Sequence, residues 1–247
     1  MRPKIVLFGD SITEASFDVG GWGAALANCF CRTADVVLRG YSGYNTRWVL
    51  KVLDRVFPLK SQTQSLSLAS PSNVVAVTLF LGANDASLPD RSSAFQHVPI
   101  AEYHQNLLAI IAHFKALWPC TVILLITPPP IDEDGRLRYP YGENPSGLPE
   151  RTLESAKAYA TACLEVGREA CVPVIDLCSK MQSTPGWEKL YLSDGLHLTA
   201  EGNRVVFEEV VEALQKEGVS PEKRTVDLPL LSEMDPNDPL KSFQLLP

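Results

Sequence analysis

Five short apolar runs, each followed by a stretch of helical periodicity, constrain this chain more than any other feature of its sequence. The runs cover residues 4–9, 35–38, 73–81, 121–127 and 172–177. They are continuous rather than alternating, which suits strands covered on both faces. Amphipathic segments lie at 22–30, 45–56, 100–117, 153–169 and 199–216. In the last of these Val205, Val206, Val210, Val211 and Leu214 form one stripe. Strand and helix in repeated alternation predict an α/β fold: one three-layer, doubly wound domain built on a five-stranded parallel sheet.

That domain is expected to occupy residues 1–217, since no polar linker divides it. Residues 218–247 form a proline-rich tail, with Pro221, Pro229, Pro236, Pro239 and Pro247. Proline lacks the donor that regular structure needs, so the tail reads as extended or disordered. Three loops stand out: the Ser-rich 59–72, a mobile surface excursion; 86–99, after the third run; and 128–149, after the fourth, with six prolines. The second and third lie at the carboxyl ends of strands, where open α/β sheets bind ligands.

Charge and composition exclude several function classes. With 22 basic and 29 acidic residues the formal net charge is −7. A nucleic-acid binder needs a basic face against phosphates, so no nucleic-acid partner is expected. No apolar run is long enough to cross a bilayer, and the first is too short for a signal-peptide core, so membrane insertion is not expected. The six cysteines contain no CxxC pair and read as reduced thiols, which points to the cytosol. The four histidines show no metal-ligand spacing, so no metal and no cofactor is expected.

Chemistry-bearing residues gather where the runs end. The first ends in Gly9-Asp10-Ser11-Ile12-Thr13. Here Ser11 can project a hydroxyl into a cleft, or Asp10, Ser11 or Thr13 can cap the next helix. The second run leads to Gly43, whose N–H can face a developing oxyanion, or which can simply serve a turn. After the third come Asn84, a turn residue or an amide donor into the cleft, and Asp85, suited to holding the loop. Asp194-Gly195-Leu196-His197 precedes the last helix; three residues across a glycine can set carboxylate against imidazole, though His197 can equally start the helix. Motifs for the α/β-hydrolase nucleophile elbow (GxSxG), for dinucleotides and for phosphate loops are absent.

The ordered set Gly9-Asp10-Ser11, Gly43, Gly82-Ala83-Asn84-Asp85 and Asp194-Gly195-Leu196-His197 resembles the SGNH, or GDSL, hydrolase family. The resemblance spans nearly the whole domain and implies that family's flavodoxin-like fold. It implies Ser11 as nucleophile, His197 as base with Asp194 as its partner, and an oxyanion hole of Ser11 N–H, Gly43 and Asn84. Gly20-Gly21-Trp22-Gly23, residues 38–46, Gln96-His97-Val98-Pro99, Pro128-Pro129-Pro130 and residues 191–197 are similar to the isoamyl acetate-hydrolysing esterase branch. This implies hydrolysis of short-chain, acetate-type esters, with a small-molecule ester as partner. A carbohydrate O-acetylesterase, or a thioesterase or lysophospholipase, would use the same residues, and a non-catalytic binding protein on this fold would lack Ser11 or His197. Trp22, Tyr44 and His97 are candidates to line the substrate pocket, each with core packing as the alternative, and self-association is left open.

Overall fold

A computed structural model describes residues 2–59 and 73–243. Its strands are β1 (Lys4–Gly9), β2 (Asp35–Gly40), β3 (Val74–Phe80), β4 (Val122–Ile126) and β5 (Val174–Ile175). Its α-helices are α1 (Ser11–Glu14), α2 (Trp22–Cys29), α3 (Thr46–Val56), α4 (Ile100–Leu117), α5 (Glu133–Arg138), α6 (Leu153–Ala170), α7 (Leu177–Gln182), α8 (Trp187–Leu190) and α9 (Ala200–Lys216). All strand pairs are parallel, in the order β2-β1-β3-β4-β5. The expected doubly wound, flavodoxin-like sheet is therefore present, with the chain reversing direction across the sheet at β1.

The continuous apolar runs are explained by two cores, one on each face. Successive side chains of a strand point to opposite faces. Ile5 and Leu7 of β1, with Leu124 and Ile126 of β4, pack against α2 and α9 through Trp22, Leu26, Val206 and Val210. Val6 and Phe8, with Val77 and Leu79 of β3, pack against α3, α4 and α6 through Val49, Leu107, Phe114 and Val166. Both faces need apolar residues, so no polar alternation survives.

Helix starts follow their caps. Asn45, Thr152 and Thr199 each accept a backbone N–H from the first turn of α3, α6 and α9. β5 is much shorter than the expected 172–177. Pro173 has no N–H for the ladder, and Asp176 already caps α7 by accepting from Ser179 N. The expectation that prolines deprive the tail of regular structure is corrected by three single 3₁₀ turns, Pro221–Lys223, Leu231–Glu233 and Lys241–Phe243. Between them Asp227 accepts from Arg2 Nε at 2.7 Å and from Arg32 Nε at 3.4 Å, which straps the segment to the start of β1 and the end of α2. Of the Ser-rich loop at 59–72, residues 60–72 lie outside the described residues.

One close approach sets the position of α1. A Cβ on Gly40, the last residue of β2, would stand 2.1 Å from Glu14 N and 2.3 Å from Glu14 Cα, both backbone atoms. Gly40→Ala is therefore expected to destabilise the fold by ~1–3 kcal/mol, as overpacking does, and to displace α1. A urea midpoint equal to that of the wild type would contradict this account of the docking.

Candidate active site

The carboxyl ends of β1, β2 and β3 meet the turn before α9. After β1, Asp10 caps α1 by accepting the Ile12 N–H at 3.0 Å. Ser11, the first residue of that turn, is left with its Oγ 3.0 Å from Nε2 of His197. The cap and the projecting hydroxyl thus fall to different residues. His197 does not start a helix, since Thr199 caps α9.

Asp194 holds the histidine from the other side. Its Oδ1 accepts the N–H groups of Leu196 and His197 at 2.9 and 2.8 Å, and its Oδ2 lies 2.8 Å from His197 Nδ1. Burial opposes ionisation of this carboxyl, but hydrogen bonds from the His197 side chain and backbone outweigh it and hold Asp194 well below the usual carboxylate range. An ionised carboxylate only accepts, so Nδ1 carries the proton and Nε2 is free to accept from Ser11.

Asn84 is 4% exposed, and its orientation is fixed by a residue the sequence does not announce. Arg151 Nη2 donates to Asn84 Oδ1 at 3.2 Å and to Gln96 Oε1 at 2.8 Å. Arginine has no acceptor, so both amides must turn their oxygens toward it. Asn84 Nδ2 then donates to the Tyr44 carbonyl at 2.9 Å and comes within 3.5 Å of Asp10 Oδ2, next to Ser11. Gln96 Nε2 donates to Asn84 Oδ1 and to the carbonyl of Gly43, each at 3.0 Å. Gly43 has φ of +78°, a conformation that favours glycine.

Asp85 reaches across to the start of α3, where it accepts from the N–H and hydroxyl of Thr46. It is fully buried, and burial pushes its carboxyl up to about 7 despite those two donors. Burial likewise pushes Asp10 up to about 6, opposed by the Ile12 N–H and by the charges of His197 and Arg151.

A cleft of about 310 Å³ opens beside the serine, lined by Ser11, Glu14, Ala15, Asp18, Ser42 and His197. None of the three candidate pocket residues lines it. Trp22 is wholly buried in the core, its indole N–H donating to the Ile12 carbonyl at 3.3 Å. Tyr44 is half-buried and packs edge-on against Trp48, and His97 Nδ1 lies 2.6 Å from the Ser87 carbonyl. Gln96, Arg136, Glu150 and Arg151 are the site's unannounced members. Gln96 lies within a run that resembles the esterase branch, but nothing distinguishes the buried Glu150-Arg151 pair from an ordinary solvated one. Among the described residues no three His, Cys, Asp or Glu side chains converge as a metal-ligand set, and no helix is long and apolar enough to cross a membrane.

Residues 5–210 match the model of the GDSL-like Lipase/Acylhydrolase family. The chain belongs to this family. A GDSL esterase/lipase of Arabidopsis thaliana is 60% identical over 243 residues, covering 98% of either chain. An isoamyl acetate-hydrolyzing esterase 1 homolog of Bos taurus is 41% identical over 216 residues, 87% of this chain and 82% of that one. The crystal structure of a lipase/acylhydrolase from Enterococcus faecalis shares the fold at a TM-score of 0.65 and 28% identity, covering 88% of this chain and 97% of that one. This GDSL-family chain is a carboxylic ester hydrolase, and its partners are small-molecule esters.

The raised Asp85 carboxyl has a measurable consequence. Its value in the folded state exceeds the ordinary 3.8, so its contribution to stability is complete below about 4 and is lost as pH rises through about 7. The melting temperature of the wild type minus that of Asp85→Asn is expected to fall across this interval. A difference that stays constant with pH would show that ionising Asp85 costs the fold nothing.

Proposed function

We propose that this hydrolase is a serine esterase for short-chain, acetate-type esters, acting through Ser11, His197 and Asp194. The observation that carries the reading is the hydrogen-bonded chain from Ser11 Oγ through His197 to Asp194, at 3.0 and 2.8 Å. Ser11 attacks the ester carbonyl while His197 Nε2 takes its proton, and Asp194 stabilises the imidazolium. The tetrahedral oxyanion is held by the N–H groups of Ser11 and Gly43 and by Asn84 Nδ2. His197 then protonates the departing alcohol, and the same base activates water to release the acid from Ser11.

The preference for a short ester is supported by the 310 Å³ cleft, at the small end of the range for ligand pockets. It is supported too by the likeness to a relative named for isoamyl acetate hydrolysis. The polar lining supplied by Glu14, Asp18 and Ser42 favours a second reading, acetyl esters of polyhydroxylated alcohols such as sugars, on the same catalytic groups. The six free thiols support a reducing, cytosolic location. We take residues 1–217 as the catalytic domain and 218–247 as its tail.

Ser11→Ala is expected to abolish hydrolysis, and an organophosphate should label Ser11 alone in the wild type; a labelled residue elsewhere would refute the nucleophile. Asn84→Ala should lower turnover roughly 10²–10³-fold without unfolding, the usual cost of one lost oxyanion donor. A panel of acetate, butyrate, long-chain and acetyl-sugar esters separates the readings. Acetates should be cleaved fastest; a preference for long chains would contradict the acyl-length assignment.

A further inference from the structure

Asn84 and Asp194 stand 110 positions apart in the chain, yet an unbroken run of buried charges joins them. Arg151 lies just before the cap of α6. Its Nε donates to the Ala83 carbonyl at 2.8 Å, its Nη2 to Asn84 and Gln96, and its Nη1 to Glu150 Oε1 at 3.0 Å. The same Glu150 oxygen accepts from Arg136 Nε at 2.7 Å. Arg136 Nη1 donates to the Asp194 carbonyl at 3.0 Å and stands 3.0 Å from Asp194 Oδ2, the oxygen that faces His197. The side chains of Arg136, Glu150 and Arg151 are 4%, 0% and 3% exposed.

Stability does not explain such an arrangement. Removing charged groups from water costs several kcal/mol each, and a buried ion pair often does no better than apolar residues of the same size. Geometry explains it. Every contact of Arg151 goes to a group that orients Asn84 or Gln96, or on to Glu150. Those of Arg136 go to Glu150 and Asp194. The approach of α5 to the Asp194 turn is itself built in: a Cβ on Gly135 would stand 2.6 Å from Gly195 Cα. Asp132 N donates to the Gly195 carbonyl at 3.0 Å to close the contact.

We infer that Arg136, Glu150 and Arg151 form one ionic tie that holds Asp194, the partner of the base, and Asn84, the oxyanion donor, in fixed register with each other. The inference rests on the reading of Ser11, His197 and Asn84 given above. The three are positioning residues, since none touches the reacting atoms. Signs along the tie alternate, from Asp194 through Arg136 and Glu150 to Arg151. Each guanidinium therefore spans two groups at once, which a lysine ammonium cannot do with the same geometry.

The two ends of the tie predict different kinetic signatures. Arg136 and Asp10 face the Asp194–His197 pair from neighbouring elements, and the carboxyls of Glu14 and Asp18 line the cleft beside His197. Arg136→Met removes a cation that opposes protonation of the imidazole, so the acidic limb of the kcat/KM profile should move up by about one pH unit. Glu150→Gln keeps Oε1 as the shared acceptor and puts an amide where Oε2 has no hydrogen bond among the described residues. It leaves Arg136 less neutralised, so the limb should move down. Arg151→Lys should lower kcat ~10–100-fold with KM and the limb nearly unchanged, as misplacement of a catalytic group does.

The experiment records pH–rate profiles on a short acetate ester for these three variants, wild type and Ser11→Ala, with the folded fraction of each taken from its thermal unfolding curve. Opposite limb shifts for Arg136→Met and Glu150→Gln, with a kcat-only loss in Arg151→Lys, support the tie. Opposite signs cannot come from a general loss of stability. Activity that falls only in proportion to the folded fraction, with the limb unmoved, overturns it. If Ser11→Ala is inactive while the other three behave as wild type, the tie alone fails. If Ser11→Ala still hydrolyses the ester, the underlying reading fails.

Discussion

The whole arrangement hangs on β1. It is the strand at which the winding reverses, it pairs with β2 on one side and β3 on the other, and Ile5 to Phe8 fill both cores. A strand held on four sides has no freedom to slide, because a shift of one residue would exchange its two faces. Its carboxyl end is therefore a fixed point. Asp10 caps α1 there, Gly40 lets α1 lie against the end of β2, and Ser11 is presented where the loops after β2 and β3 converge. The geometry of the proposed nucleophile follows from core packing before any catalytic group is considered.

Pairing separates the carboxyls around the site. Asp194 lies against His197 and Arg136, whereas Asp10 and Asp85 accept hydrogen bonds from neutral donors and, among the described residues, no cation pairs with them directly. The result is a gradient across the site. Asp194 is held below the ordinary range by His197, while burial raises Asp85 to about 7 and Asp10 to about 6. Negative charge is stabilised behind the imidazole, where a positive charge develops in the proposed reaction.

The strands and long helices were legible because their signal is local: continuous apolar runs and caps such as Asn45, Thr152 and Thr199 state their own role. Ser11, Asp194 and His197 were legible as residue types with chemistry, and the structure brings them into one hydrogen-bonded chain. What the sequence hides is burial of charge. Glu150-Arg151 sits between a proline-rich loop and a helix cap, a place where an adjacent ion pair is normally wet, and only the fold reveals that Arg136 and Asn84 meet it there. Trp22 takes the core-packing alternative that its sequence left open: it is wholly buried, and its indole N–H donates to the Ile12 carbonyl. The brevity of β5 turns on the missing donor of Pro173 at one end and on Asp176 capping α7 at the other, neither of which an apolar run displays.

The loop between β4 and α6 shows how a long insertion becomes functional without contributing a reacting group. Its α5 packs against the turn before α9 through the Gly135–Gly195 contact, and its end delivers Glu150 and Arg151 beneath the loop after β3. Leu88 N donates to the Glu150 carbonyl and Ser155 Oγ to the Ala86 carbonyl, so the start of α6 is fastened to that same loop. Loops at strand ends are ordinarily the most variable part of such a fold. Here two of them are locked to each other by charges almost wholly removed from water, and the cost of burying those charges is offset only while every partner is in place. A carboxylate and an amide separated by 110 positions are thereby held as one unit, and rigidity of this kind is what a site built on backbone N–H groups and a single imidazole needs in order to meet a transition state without reorganising.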